Sequence, residues 1–181
     1  MLIAISGTPG TGKTSTVKIL QKKGFQVIDL NKFAKENDFI IGIDKKRDSK
    51  IVDIHKLNDY FKDYKTDEMV FIDSHLSHLV SHVDKVIIFR CKPEKLRLNL
   101  NKKNWNKEKI KENIQAEILD IILSEAVDIH NPKNIFEIDT SNITIRETAD
   151  IILDIISNDF KNIKKYKIGR IDWSEEILKE F

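Results

Sequence analysis

Residues 7 to 14 read Gly7-Thr8-Pro9-Gly10-Thr11-Gly12-Lys13-Thr14, and few short patterns restrict a fold so tightly. The run before it, Leu2-Ile3-Ala4-Ile5-Ser6, is apolar and reads as a buried strand. The run after it, Ser15-Thr16-Val17-Lys18-Ile19-Leu20, places Val17 and Leu20 at helical spacing. G-x-x-x-x-G-K-[ST] between a strand and a helix is the P-loop. Its glycines let the backbone turn tightly and aim amide groups inward, where the positive end of the following helix adds to an anion cradle. Lys13 is placed to meet β- and γ-phosphates as a point charge, and the Thr14 hydroxyl to ligate Mg²⁺. The pattern predicts a nucleoside-triphosphate site that uses Gly10, Gly12, Lys13, Thr14 and Ser15.

A P-loop strand needs parallel neighbours, and the chain supplies them. Residues 25–30, 69–73, 85–91 and 134–139 are further short apolar runs, giving five strands in all. Helical patterns fill the intervals. The segment 51–64 carries Ile54, Leu57, Tyr60 and Phe61 on one face, and Pro93 opens a helix with Leu96 and Leu100. Ile110, Ile114, Ile118 and Ile122 recur every four residues and predict one helix over 107–129. Thr144 to Glu147 reads as a capping box at the start of a last helix. Strands alternating with helices predict an α/β fold of three layers, α/β/α, around a five-stranded parallel sheet. One domain spans 1–160, and a compositionally distinct tail, 161–181, docks on it through Trp173.

At 181 residues the chain is long enough for a substantial core. The 31 basic and 29 acidic residues leave a formal charge of +2, too little for a global field directed at nucleic acid. Within the tail, Lys161, Lys164, Lys165 and Lys167 beside Tyr166 leave open either direct RNA binding or a solvated lysine face. A single cysteine, Cys91, forms no internal disulfide and suits a reducing compartment. No apolar run approaches a membrane span, and Met1 leads straight into the first strand, so a soluble cytoplasmic protein is expected.

Three further groups invite chemistry. Asp73 closes the third strand, where a parallel sheet presents residues to its ligand crevice. Beside a P-loop an acid there organises Mg²⁺, Asp73 acting through water. His75, His78 and His82 share one side if the segment is helical. His75 lies nearest the phosphates, to orient either a water or a phosphoryl acceptor, and the other two read as surface or packing residues. The run Lys102-Lys103-Asn104-Trp105-Asn106-Lys107 is either a cationic lid or a solvated charge run. Arg47 and Arg90 are candidates for contact with an acceptor phosphate.

The P-loop, Asp73-Ser74-His75 and Glu112-Asn113-Ile114-Gln115-Ala116-Glu117-Ile118 together resemble the adenylate kinase 6 family, which includes a nuclear coilin-interacting ATPase, a yeast ribosome-maturation factor and archaeal relatives. The resemblance implies a small adenylate-kinase-like fold with an acceptor-binding segment over about 29–52, Asp29 included, and a short lid over about 102–112. It implies ATP + AMP ⇌ 2 ADP with Mg²⁺, a slow ATPase supported by Asp73 and His75, and a part in small-subunit ribosomal RNA maturation through transient binding of an S11-type ribosomal protein. Where the family's lid carries Arg-Gly-Tyr, this chain has Lys103-Asn104-Trp105, keeping the charge and the aromatic but not the planar fork of arginine.

Overall fold

The computed structural model describes residues 1–45, 49–161 and 163–180. Its strands are β1 (Leu2–Gly7), β2 (Gln26–Asp29), β3 (Ile40–Asp44), β4 (Ser49–Val52), β5 (Val70–Asp73), β6 (Lys85–Arg90) and β7 (Ile135–Asp139). Its helices are α1 (Lys13–Lys22), α2 (Leu30–Glu36), α3 (Ile54–Lys62), α4 (Pro93–Asn101), α5 (Lys107–Ile118), α6 (Ile121–Ile129), α7 (Ile145–Ser157) and α8 (Ile177–Glu180).

Five strands make one parallel sheet in the order β2-β5-β1-β6-β7. The chain crosses over β1 between β5 and β6, so a crevice opens at the carboxyl end of β1, where open α/β sheets bind their ligands. Register then fixes what lines that edge. Asp29 and Ile5 both pair with Asp73, Gly7 pairs with Phe89, and Arg90 pairs with Asp139.

Alternation along the strands supplies two cores. Ile3, Ile5, Phe71, Ile87 and Phe89 face Val17 and Leu20 of α1 and Ala149, Ile152 and Ile155 of α7. On the opposite face Leu2, Val70 and Ile72 meet Leu30, Leu57 and Phe61, while Ala4, Val86 and Ile88 meet Ala126 of α6. Cys91 packs with the α4–α5 pair through Leu96, Leu100, Ile110, Ile114 and Ile118. The capping box on α7 forms as the sequence predicts, Thr144 and Glu147 exchanging side-chain and backbone bonds.

Two local features depart from the sequence expectation. The apolar repeat over 107–129 does not make one helix. Asp120 adopts φ 54 in the left-handed region, ending α5 and letting α6 turn onto the sheet. The Asp120 carboxylate bonds the Arg90 guanidinium at that corner, which holds the turn where the repeat alone would continue. β3 and β4 pair antiparallel in a separate two-stranded sheet that no periodicity forecast. Its Ile41 and Ile43 are exposed.

The C-terminal segment lies against the body. Ile163 and Tyr166 join the core beside Phe136, Lys167 bridges Phe136 in antiparallel sense, and Trp173 packs on the α4–α5 cluster. Among the described residues no helix is long and apolar enough to cross a membrane.

Candidate active site

The loop after β1 turns on three glycines with positive φ, Gly7 at +138°, Gly10 at +98° and Gly12 at +97°. At Gly7 the requirement is absolute. A Cβ there would stand 2.4 Å from the carbonyl oxygen of Phe89 on the neighbouring strand. Gly12 caps α1 without a side chain, so the first amides of the helix face the crevice as anion donors.

Lys13 lies beneath this loop. Its ammonium donates to the carbonyls of Gly7 at 2.6 Å and Thr8 at 3.0 Å. Burial pushes its pKa down to about 8, Asp73 opposing the shift and Lys103 adding to it. Asp73 is buried at the end of β5 with the Thr14 hydroxyl and Lys13 nearby, and loss of water raises its pKa against both. One of its oxygens, Oδ1, has no hydrogen-bond partner. A buried, desolvated carboxylate oxygen beside a hydroxyl is a donor set suited to a hard divalent cation, which takes oxygen ligands. Thr14 and Asp73 therefore fit Mg²⁺.

These groups share a cavity of about 720 Å³ with residues from four other parts of the chain. Pro9, Gly10, Gly12, Ser15, Ser74 and His75 line the phosphate end. Asp29, Asn31 and Ser49 form another wall. Asp29 also caps α2, accepting from the amides of Asn31 and Lys32 at 3.0 Å each. The wall from α4 and α5 carries Asn99, Lys103, Trp105, Lys109, Glu112, Asn113 and Ala116. Asn99 donates to the Gly10 carbonyl at 3.0 Å, and the ammoniums of Lys103 and Lys109 stand 5.2 and 4.5 Å from the Trp105 ring centre. The segment read as either lid or charge run thus reaches the cavity with both its cation and its aromatic.

The histidines separate, because residues 74–79 form turns and a short 3-10 helix instead of an α-helix. His75 stands at the cavity rim. Loss of water against the pocket wall, then the charges of Lys13, His78 and Lys109, push its pKa down to about 4. Its outer side is open to solvent, which moderates the size of that shift and leaves its direction. His78 is not a surface residue. It is buried between the Ser6 hydroxyl and Glu125, at 2.8 Å from each, with its carbonyl 2.7 Å from His130 Nε2. His82 is exposed.

Arg90 does not contact an acceptor. It is 2% exposed, outside the cavity lining, and committed to carboxylates: Nε to Glu117 at 2.9 Å, Nη1 to Glu137 at 2.5 Å, and Nη2 to Asp120. A guanidinium so enclosed does not reach the cavity to meet a substrate. Arg47 lies outside the described residues.

Asn31 and Ser49 fall within the acceptor segment, and Lys109 within the lid, that the resemblance implies, though none was singled out, and Asn99 on α4 was not anticipated. Glu117 stood in the motif that carries the resemblance, with no role assigned to it.

The sheet order, the glycine loop and the buried lysine define an α/β P-loop NTPase fold of the kinase type. The family described as AAA domain matches residues 3–120. The fold is shared with the deoxyadenosine kinase of M. mycoides solved with bound dATP, at TM-score 0.52 and 16% identity, covering 87% of this chain and 99% of that one. The chain is 40% identical to the "Putative adenylate kinase" of Methanosarcina barkeri, covering 98% of this chain and 100% of that protein. It is 37% identical to the protein of the same name from Archaeoglobus fulgidus, over 98% and 94%. It belongs to this archaeal adenylate kinase family.

Proposed function

We propose that this chain is a nucleoside monophosphate kinase of the adenylate type, interconverting ATP + AMP and 2 ADP, with slow ATP hydrolysis alongside. The observation that carries the reading is the single cavity, which joins the P-loop cradle to a second polar wall at Asp29, Asn31 and Ser49. Such a wall is what a phosphoryl acceptor needs beside the nucleoside triphosphate. Relatives named for this activity along the whole chain support it.

The chemistry is positioning and charge neutralisation. The loop amides and Lys13 hold the triphosphate, and the β–γ bridging bond breaks as an acceptor phosphate oxygen attacks. Mg²⁺, held by Thr14 and Asp73, would neutralise the phosphate charge when bound. Lys103 supplies positive charge from the α4–α5 side, and Trp105 shields the cavity mouth. Asp29 lies on the acceptor wall.

ADP formation from Mg·ATP, measured alone and then with each nucleoside monophosphate, tests the assignment. A burst with AMP only is expected. Lys13→Ala is expected to abolish transfer and hydrolysis together, and wild-type turnover in that variant would remove the site assignment. A second reading is an ATP-switched assembly factor acting in small-subunit ribosomal RNA maturation with an S11-type protein as partner. It rests on the resemblance and is favoured by neutral His75 at the rim, suited to orienting water. A rate unchanged by every monophosphate would select it.

A further inference from the structure

The P-loop is gripped from behind by a side chain outside it. Thr8, 2% exposed, donates its hydroxyl to Glu117 Oε2 at 2.5 Å. The Thr8 carbonyl is one of the two that accept from Lys13, and it also takes the Thr11 hydroxyl at 2.9 Å. The other Glu117 oxygen accepts from Arg90 Nε at 2.9 Å, the Cys91 amide at 3.1 Å and the Trp173 indole at 3.3 Å. One buried carboxylate therefore joins the nucleotide loop, the sheet edge and the C-terminal segment.

Charge balance argues that Glu117 is more than a counter-ion. Arg90 already faces the buried Glu137 and the partly exposed Asp120, so the further carboxylate buried at Glu117 is surplus to neutralising it. Burying an extra acid is costly unless its contacts return the energy. Beyond Arg90, Glu117 takes the Thr8 hydroxyl, the Cys91 amide and the Trp173 indole, and of these the Thr8 bond is the one that reaches the nucleotide loop.

We propose that Glu117 is a positioning residue: through Thr8 it fixes the loop turn that aims Lys13, and so links the aim of Lys13 to the docking of Trp173. The kinetic part of this proposal rests on the phosphoryl-transfer reading. A lysine ammonium has three donors. Two are held by the Gly7 and Thr8 carbonyls, which leaves one for an incoming phosphate and sets its direction, so a phosphate that shifts Lys13 pulls on the same chain of contacts that ends at Trp173. Linkage of this kind is reciprocal.

Thr8→Val removes the hydroxyl and keeps the shape, while Thr8→Ser keeps the hydroxyl. In Thr8→Val, kcat for AMP phosphorylation is expected to fall about tenfold, the scale of one aimed hydrogen bond, with KM for ATP nearly unchanged and Tm lowered, because the buried Glu117 Oε2 loses its donor. Thr8→Ser is expected to restore it. Wild-type kcat in Thr8→Val overturns the proposal, as does an equal loss in both variants, which is a scaffold effect. A second readout needs no turnover. Trp105→Phe leaves Trp173 as the only tryptophan of the two in the chain. Its emission is expected to change on adding Mg·ATP with Thr8 present and not with Thr8→Val. No change in either background overturns the link. Failure of wild-type transfer to AMP alongside the expected emission change would sink the kinase reading and leave the positioning role supported.

Discussion

His75 shows how much the surroundings of one ring decide. Its pKa is held down to about 4 by lost water and by Lys13, so the ring is neutral at pH 7 and has a lone pair to offer a water. Because the folded value lies below the ordinary 6.5, the neutral ring contributes stability above that value, and the contribution is lost as pH falls toward 4. His75→Gln, which cannot titrate, is expected to gain in Tm relative to wild type between pH 7 and 4.5. Some acid sensitivity will remain, since burial also depresses the pKa of His78 and of His130. A Tm difference constant over that range would mean that His75 titrates as it does in water. Identity at single positions was legible where chemistry imposes a spacing. The P-loop residues and Asp73 line the cavity, as a triphosphate site requires. Arg90 was misread because a cation at a strand end looks the same whether it meets a phosphate or, as here, carboxylates brought in from 27 and 47 residues away.

Elements follow the same division. All five sheet strands and the α7 cap were legible, because alternation and capping are local. The α5–α6 corner was not, because the apolar repeat runs through it and the residue that breaks it is an aspartate. Asp120 holds φ 54, a conformation that disfavours side chains with a Cβ and is tolerated best by glycine and next by Asn and Asp. Arg90 retains two other carboxylates when Asp120 is removed, so backbone strain should dominate the outcome. Asp120→Ala is expected to cost about 1–2 kcal/mol in urea unfolding, and Asp120→Gly less than Asp120→Ala. That order inverts ordinary helix propensity. Alanine as the milder change would show that the corner is not held by its left-handed residue.

The whole molecule depends on its last twenty residues more than their composition suggests. Tyr166 is 8% exposed and closes the core over Phe136, next to the edge strand β7. Tyr166→Ala is expected to cost about 3 kcal/mol, the scale of a large buried aromatic lost, seen as a lower urea midpoint at unchanged slope. A cost within ~0.5 kcal/mol, the range of surface substitutions, would show the segment resting on the body without bearing on it.

The sheet order also carries a consequence for how the chain comes into being. β1 is made before its two neighbours, β5 and β6, which end at Asp73 and Arg90, and the loop after it leans on Glu117. The glycine loop is thus made well before it acquires its surroundings, a delay on the order of ten seconds at common elongation rates. Until then a nascent fragment carries the whole nucleotide motif without the architecture that gives it affinity. A ligand can therefore reward the fold only once the segment through Glu117 has joined it.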